Sequence, residues 1–295
     1  MSSLTSDAPS VSGLRAGDEL AGVFACTRKD RLMSRAGTPY LAVELRDRTG
    51  AIEARAFRDA DLLAGRFERG ELVRVAGRVE RFRDALQVEL RAIARAEDGE
   101  VDAAAFLPSA YRDLDELDGF LEHFVREVHD AGLRALLEEL LADEVLRAEW
   151  RRAPCTRSGH HSYLGGLLEH TVAVAQLAAE TCALHVRLDS DLLLTAAIVH
   201  DLGKTREFTY GAEFGLSAEG RLLGHVEIGM EIVAARAGAL PAERRLALLH
   251  CILCHHGPDA APGRRFGSPE ALALARLNAL DASVKGALEH GIGVG

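Results

Sequence analysis

A chain of 295 residues with 48% hydrophobic and 27% charged residues has the composition of packed globular cores and excludes disorder over most of its length. At roughly 150 residues per domain, two domains are expected. The formal net charge of −10 argues against a protein that coats polyanions with its whole surface. No run approaches the roughly 18 consecutive apolar residues of a membrane helix, and the first residues lack a basic-then-apolar leader. Five cysteines do not read as a disulfide framework. A cytoplasmic protein with no membrane partner is the expectation.

In chain order, residues 1–12 are expected as a disordered tail. Residues 13–97 then tend to alternate with a period of two. Asp18–Thr27, Tyr40–Asp47, Ala51–Phe57, Glu71–Glu80 and Ala85–Ile93 each predict a half-buried strand. Turn residues punctuate them: Gly37-Thr38-Pro39, Arg48-Thr49-Gly50 and Arg83-Asp84. Five short strands in about 80 residues predict a small closed barrel. Residues 98–110 are expected as a linker. Up to Glu97 the chain carries 17 basic and 15 acidic residues, a net of +2, and the remainder a net of −12.

From residue 111 to 295 the period changes to 3.6. Helices are predicted over Leu114–Val128, Leu133–Trp150, Gly165–Leu184, Asp189–His200, Leu222–Ala237, Pro241–His255 and Pro269–His290. Gly203, Gly238, Gly257 and Gly267 fit their ends or turns. The expected fold class is multi-domain α and β, a small N-terminal β-barrel followed by an all-α domain.

Nine of the twelve histidines lie between His160 and His256. His170 sits within GGLLEHTVAVAQL, and His200-Asp201 ends the nearly all-apolar run LLLTAAIV. Burying such a pair without a partner is costly. His225 opens the next helix, His255-His256 closes the one after it, and Asp281 lies in LARLNALDASV. Imidazole and carboxylate together suit divalent transition metals, and a metal supplies the partner that Asp201 lacks. Any one of these histidines alone reads as a capping or core residue, but the ordered set with an adjacent His-Asp does not.

The order His170, His200-Asp201, His225, His255-His256 and Asp281, carried by SGHHSYLGGLLEHT, AAIVHDLGKTREF, LLGHVEIG and CILCHHG, resembles the HD-domain metal-dependent phosphohydrolases. With an N-terminal barrel, the chain looks like the YhaM-type 3′–5′ exoribonucleases, which join an OB-fold nucleic-acid-binding domain to an HD domain. The resemblance covers nearly the whole chain and is more specific in the helical half. It implies an OB-like barrel at 13–97 and an HD domain at 111–295.

The resemblance also implies that His170, His200 and Asp201 hold one metal, and that Asp201 bridges to a second held by His225, His255 and His256. Mn²⁺ is the first expectation, with Co²⁺, Fe²⁺ or Mg²⁺ as alternatives. Such a pair, about 3.5–4 Å apart, supports attack of water on a phosphodiester. Lys204, one of three lysines in the chain, is expected to contact a substrate phosphate and serve catalysis with Asp201. His160 and His161 are candidates to touch substrate or, equally, to cap the helix that follows. The family pattern has two acids three residues apart in the last helix, where this chain has Asn278 and Asp281. Either Asp281 takes the ligand role, which is the reading adopted, or Asn278 coordinates weakly through its carbonyl, or the first site is impaired.

Cys251-Ile252-Leu253-Cys254-His255 matches the C-x-x-C-H spacing of haem attachment, but the cysteines fall at helical spacing in an apolar run and read as core. In the barrel, Phe24, Tyr40, Phe57 and Phe82 are candidates for base stacking, with Tyr40 and Phe57 carried as substrate-binding residues. Arg28, Arg31, Arg35, Arg78, Arg81 and Arg83 are candidates for a phosphate track. The expected activity is a 3′–5′ exonuclease on single-stranded RNA or DNA, and a homo-oligomer is left open. Two alternatives are an HD nucleotidase or cyclic-nucleotide phosphodiesterase, and a nucleic-acid-binding protein with an impaired HD domain.

Overall fold

Alternating side chains close the first part of the chain on itself. Strands β1 (Glu19–Met33), β2 (Pro39–Asp47), β3 (Gly50–Ala56), β4 (Leu72–Phe82) and β5 (Ala85–Arg95) form a closed barrel in the order β1-β2-β3-β5-β4. β3 and β5 run parallel and the other neighbours antiparallel. Leu41, Val43 and Leu45 of β2 and Ile52, Ala54 and Ala56 of β3 point into the core with Leu20, Phe24, Val73, Val75 and Val88. The expected first strand ended at Thr27, whereas β1 continues to Met33. The register shifts between Cys26 and Arg28, and a bulge of this kind breaks the period-two signal while the pairing with β2 carries on. A short helix not foreseen in the sequence, α1 (Ala60–Ala64), buries Leu63 and Ala64 with Phe67 against the same core.

The computed structural model describes residues 10–34, 37–97 and 101–291. Most of the expected tail lies outside the described residues, but Val11–Gly13 form a 3₁₀ turn in which the Val11 amide donates to Asp47 at 2.7 Å. Within the expected linker, Asp102 caps a second 3₁₀ turn, Ala103–Phe106, through the Ala104 amide at 3.0 Å, and Phe106 packs with Ala25 and Ala212. Two compact units result. One holds residues up to Pro108 together with Tyr210–Gly215; the other holds Ser109–Thr209 and the chain from Leu216 onward.

The second unit is helical: α2 (Leu114–Glu127), α3 (Ala131–Ala142), α4 (Glu144–Arg152), α5 (Gly166–Leu184), α6 (Ser190–Val199), α7 (Lys204–Glu207), α8 (Ala218–Leu222), α9 (His225–Arg236), α10 (Ala242–Cys254) and α11 (Pro269–His290). The single helix expected over Leu133–Trp150 is two, because the Asp143 side chain accepts from the Leu146 amide at 3.0 Å and starts α4. A hairpin, β6 (Phe208–Tyr210) and β7 (Phe214–Leu216), was also unpredicted. Helix α6 is buried continuously from Leu192 to Val199 and packs against α5, α10 and α11. A helix apolar on all sides belongs at a centre. Cys251 and Cys254 are core residues, as expected. Among the described residues no helix is long and apolar enough to cross a membrane.

Candidate metal centre and nucleic-acid face

The apolar α6 ends by delivering His200 and Asp201 into the interior of the second unit, where they are 0% and 1% exposed. The turn that follows contains Gly203. A Cβ there would lie 1.9 Å from the His225 carbonyl oxygen and 2.5 Å from the Gly229 amide. Only a residue without a side chain lets the start of α9 come this close, and that approach brings His225 to Asp201. Gly166 does the same for α5, since its Cβ would stand 2.1 Å from the His161 carbonyl oxygen.

Four imidazoles surround the Asp201 carboxylate, two on each oxygen. Oδ2 lies 3.5 Å from His170 Nε2 and 3.4 Å from His200 Nε2. Oδ1 lies 3.4 Å from both His225 Nε2 and His255 Nε2. His256 joins the second pair, its Nε2 2.9 Å from His225 Nε2. The rings are turned this way by what their other nitrogens touch. His200 Nδ1 meets the Ala197 carbonyl at 2.9 Å, His255 Nδ1 the Ile252 carbonyl at 2.6 Å, His225 Nδ1 the Glu207 carboxylate at 3.3 Å, and His170 Nδ1 the Asp281 carboxylate at 2.6 Å. Each of those oxygens only accepts, so each Nδ1 carries the proton and each Nε2 presents a lone pair to Asp201.

Lone pairs facing a carboxylate repel unless a cation lies among them. Asp201 Oδ1 and His255 Nε2 are buried with no hydrogen-bond partner. The donor set therefore fits divalent metal: His170, His200 and Asp201 form one ligand-spaced group and Asp201, His225, His255 and His256 another, while Cys155, His160 and His170, and His161, His170 and Asp281, are ligand-spaced as well. Burial, the largest single influence, pushes the Asp201 carboxyl up, but the Lys204 ammonium at 2.7 Å together with the His200 and His255 rings outweighs it and holds Asp201 well below the usual carboxylate range. Burial pulls His170 down to about 4 and His256 to about 3, which keeps both in the neutral, metal-binding form.

The remaining expected residues are placed less simply. Lys204, expected on substrate, is 5% exposed and binds Asp201 together with Cys155 Sγ at 3.3 Å. Cys155, 3.8 Å from Asp201 Oδ2, was not foreseen, and a lone buried cysteine gives no signal in a sequence. Both ring nitrogens of His161 are engaged, Nδ1 with the Tyr163 hydroxyl and Nε2 with Asp281, each at 3.0 Å, so none is free for substrate. His160 is half-buried beside the His170 ring, and its Nδ1 has no partner. Asp281 stands on the far side of the His170 ring from Asp201. Asn278 donates to the His255 backbone carbonyl at 3.3 Å.

On the barrel, the expected stacking residues separate. Phe24 is 1% exposed and belongs to the core, a correction that follows from its inward position on β1. Phe57 and Phe82, by contrast, are 47% and 45% exposed. Tyr40 stacks on Phe57 with ring centroids 5.2 Å apart, and the Arg55 guanidinium lies over both Tyr40, at 5.8 Å, and Phe82, at 5.4 Å. The β1–β2 register sets the exposed Leu32 beside Tyr40. Apolar rings held at the solvent with an arginine among them suit base stacking. Arg55 was not among the expected cations. Arg28 pairs with Glu53 and Asp30, Arg31 with Asp61, and Arg83 lies over Phe82, while Arg35 is outside the described residues.

A closed five-stranded barrel and a histidine-lined helical centre define the class, and the family comparisons agree. Residues 25–94 match the OB-fold nucleic acid binding domain and residues 167–283 match the HD domain. Among curated proteins, the 3′-5′ exoribonuclease YhaM of Bacillus velezensis is 29% identical over 257 residues, covering 86% of this chain and 80% of the relative. YhaM of Listeria monocytogenes serotype 4b is 29% identical over 258 residues, covering 84% and 80%. Among solved structures, the HD domain of the L. monocytogenes phosphodiesterase PgpH aligns with a TM-score of 0.30 at 23% identity, over 48% of this chain and 74% of that one. The chain is thus similar over most of its length to the YhaM 3′-5′ exoribonucleases, with an OB-fold match followed by an HD-domain match.

Proposed function

We propose that this protein is a metal-dependent 3′–5′ exonuclease acting on single-stranded RNA, with single-stranded DNA as the second substrate class. The observation that carries the reading is the convergence of four bare imidazole nitrogens on one buried, partly unpartnered carboxylate. His170, His200 and Asp201 would hold one divalent ion, and Asp201, His225, His255 and His256 a second, Mn²⁺ being the first expectation. Bound there, such ions supply Lewis-acid polarisation of a phosphodiester and acidify the attacking water. Asp201 serves both sets because its two oxygens face opposite pairs of rings. Lys204 holds that carboxylate ionised. His160, whose buried Nδ1 has no hydrogen-bond partner beside the His170 ring, would be the candidate to meet a substrate phosphate oxygen. The exposed Phe57 and Phe82, with the half-buried Tyr40 and Arg55, would give the barrel a face on which unpaired bases stack.

The test is a 5′-labelled oligoribonucleotide incubated with Mn²⁺. Stepwise shortening that preserves the label is expected. Asp201→Ala should abolish both metal binding and shortening while its helical circular dichroism stays intact; full activity in that variant overturns the proposal. Hydrolysis confined to mononucleotides would point instead to an HD nucleotidase, and strand binding without metal-stimulated cleavage to a binding protein.

A further inference from the structure

Asn278 and Asp281 lie three residues apart on α11, and their side chains face different partners. Asn278 ties the helix to the His255 backbone carbonyl. Asp281 Oδ2 lies 2.6 Å from His170 Nδ1 and 3.0 Å from His161 Nε2, while the opposite ring nitrogen of His170, Nε2, faces Asp201. One turn further along α11, Lys285 Nζ reaches Glu169 Oε1 at 2.8 Å, and Glu169 is the residue just before His170 on α5. Glu169 Oε2 in turn accepts from the Tyr163 hydroxyl at 2.9 Å, and that hydroxyl meets His161. Helix α11 thus grips α5 at two adjacent residues, with His161 bracing the carboxylate between them. A carboxylate on the outer nitrogen of an imidazole is the arrangement that fixes which nitrogen is left bare for a metal.

We infer that Asp281 is a positioning residue and not a metal ligand: it holds His170 with its proton on Nδ1 and its lone pair directed at Asp201. This rests on the reading of His170 as a ligand in the proposed centre. The first set is then His170, His200 and Asp201 without Asp281, which leaves coordination positions to water and substrate, as in an open catalytic site.

Long-range ¹H–¹⁵N spectra of the full-length, metal-free protein read the tautomer directly, with His170→Gln assigning the signal. In the wild type His170 should carry its proton on Nδ1. Asp281→Asn, whose amide oxygen still accepts, should keep that form, whereas Asp281→Ala should yield a mixture. Titration with Zn²⁺, a diamagnetic probe, should show Asp281→Asn binding as many equivalents as the wild type with affinity lower by about 10–100-fold. A proton on Nε2 in the wild type, an unchanged tautomer in Asp281→Ala, or the loss of one zinc equivalent in Asp281→Asn would each overturn the inference. If the wild type takes up no Zn²⁺, the proposed centre itself fails; the tautomer spectra, recorded without metal, still decide the role of Asp281.

Discussion

Lys204 and a divalent cation have opposite claims on Asp201. In the structure the ammonium occupies Oδ2 of a carboxylate that is 1% exposed and otherwise ringed by imidazole lone pairs. Replacing Lys204 by methionine leaves a buried charge unpaired, a change that costs about 3–5 kcal/mol where buried pairs are broken. The metal-free variant should therefore unfold at lower denaturant than the wild type, and Mn²⁺ should narrow the gap; equal midpoints without metal would refute the role given to Lys204. At this scale the sequence was most informative about the centre itself. His170, His200, Asp201, His225, His255 and His256 were legible from their order, because each is fixed by its place at a helix or turn. The partners that aim them were not. Cys155 and Glu207 reach the centre through tertiary packing, which no local pattern encodes, and the Ala197 and Ile252 carbonyls, three residues before His200 and His255, are backbone groups that carry no side-chain signal.

Among the elements, the turn after α6 and the start of α9 depend on missing side chains. Gly203→Ala places a Cβ 1.9 Å from the His225 carbonyl, and forcing atoms into such a contact costs about 1–3 kcal/mol with a backbone shift. The shift falls on His225, so elemental analysis of Gly203→Ala should find metal lost from the His225, His255 and His256 set before the other. Retention of both sets would show that α9 does not need this approach. On the barrel, Tyr40→Ala and Phe57→Ala should each weaken single-strand binding by about 1–3 kcal/mol, the range for one stacked base. Unaltered affinity for a long strand would remove the face from the function. Element boundaries were well read where one period ran unbroken, as in β2, α5 and α11. They were missed where a second signal cut across it: the bulge after Cys26, the cap at Asp143, and the hairpin Phe208–Leu216, too short to show any period.

At the scale of the whole molecule, the imidazoles tie the stability of the metal-free protein to acid. His160 and His170 are pulled down to about 4 and His256 to about 3, burial being the largest cause in each. Histidine in an unfolded chain titrates near about 6.5. Between these values the unfolded state binds more protons than the folded one, so stability is full above about pH 6.5 and falls as the pH is lowered toward 4. Denaturant midpoints of the chelated protein across pH 7.5 to 4 should show that decline, and a flat profile would contradict it. Two domains were legible from the switch of period near residue 100. Two details were not: Phe106, inside the expected linker, is packed, and Tyr210–Gly215 group with the first unit although their neighbours in sequence are helical. Sequence proximity is a poor guide to which core a short segment joins.

If Asp201 serves both proposed ligand sets, the sharing of one carboxylate has a consequence for cation uptake. Whatever charge Asp201 lent to a first ion it would withhold from a second, and two cations there would repel each other across the same side chain. Uptake should accordingly be anticooperative, a tight equivalent followed by a weaker one, so that the free metal concentration sets whether the centre is half-filled or complete.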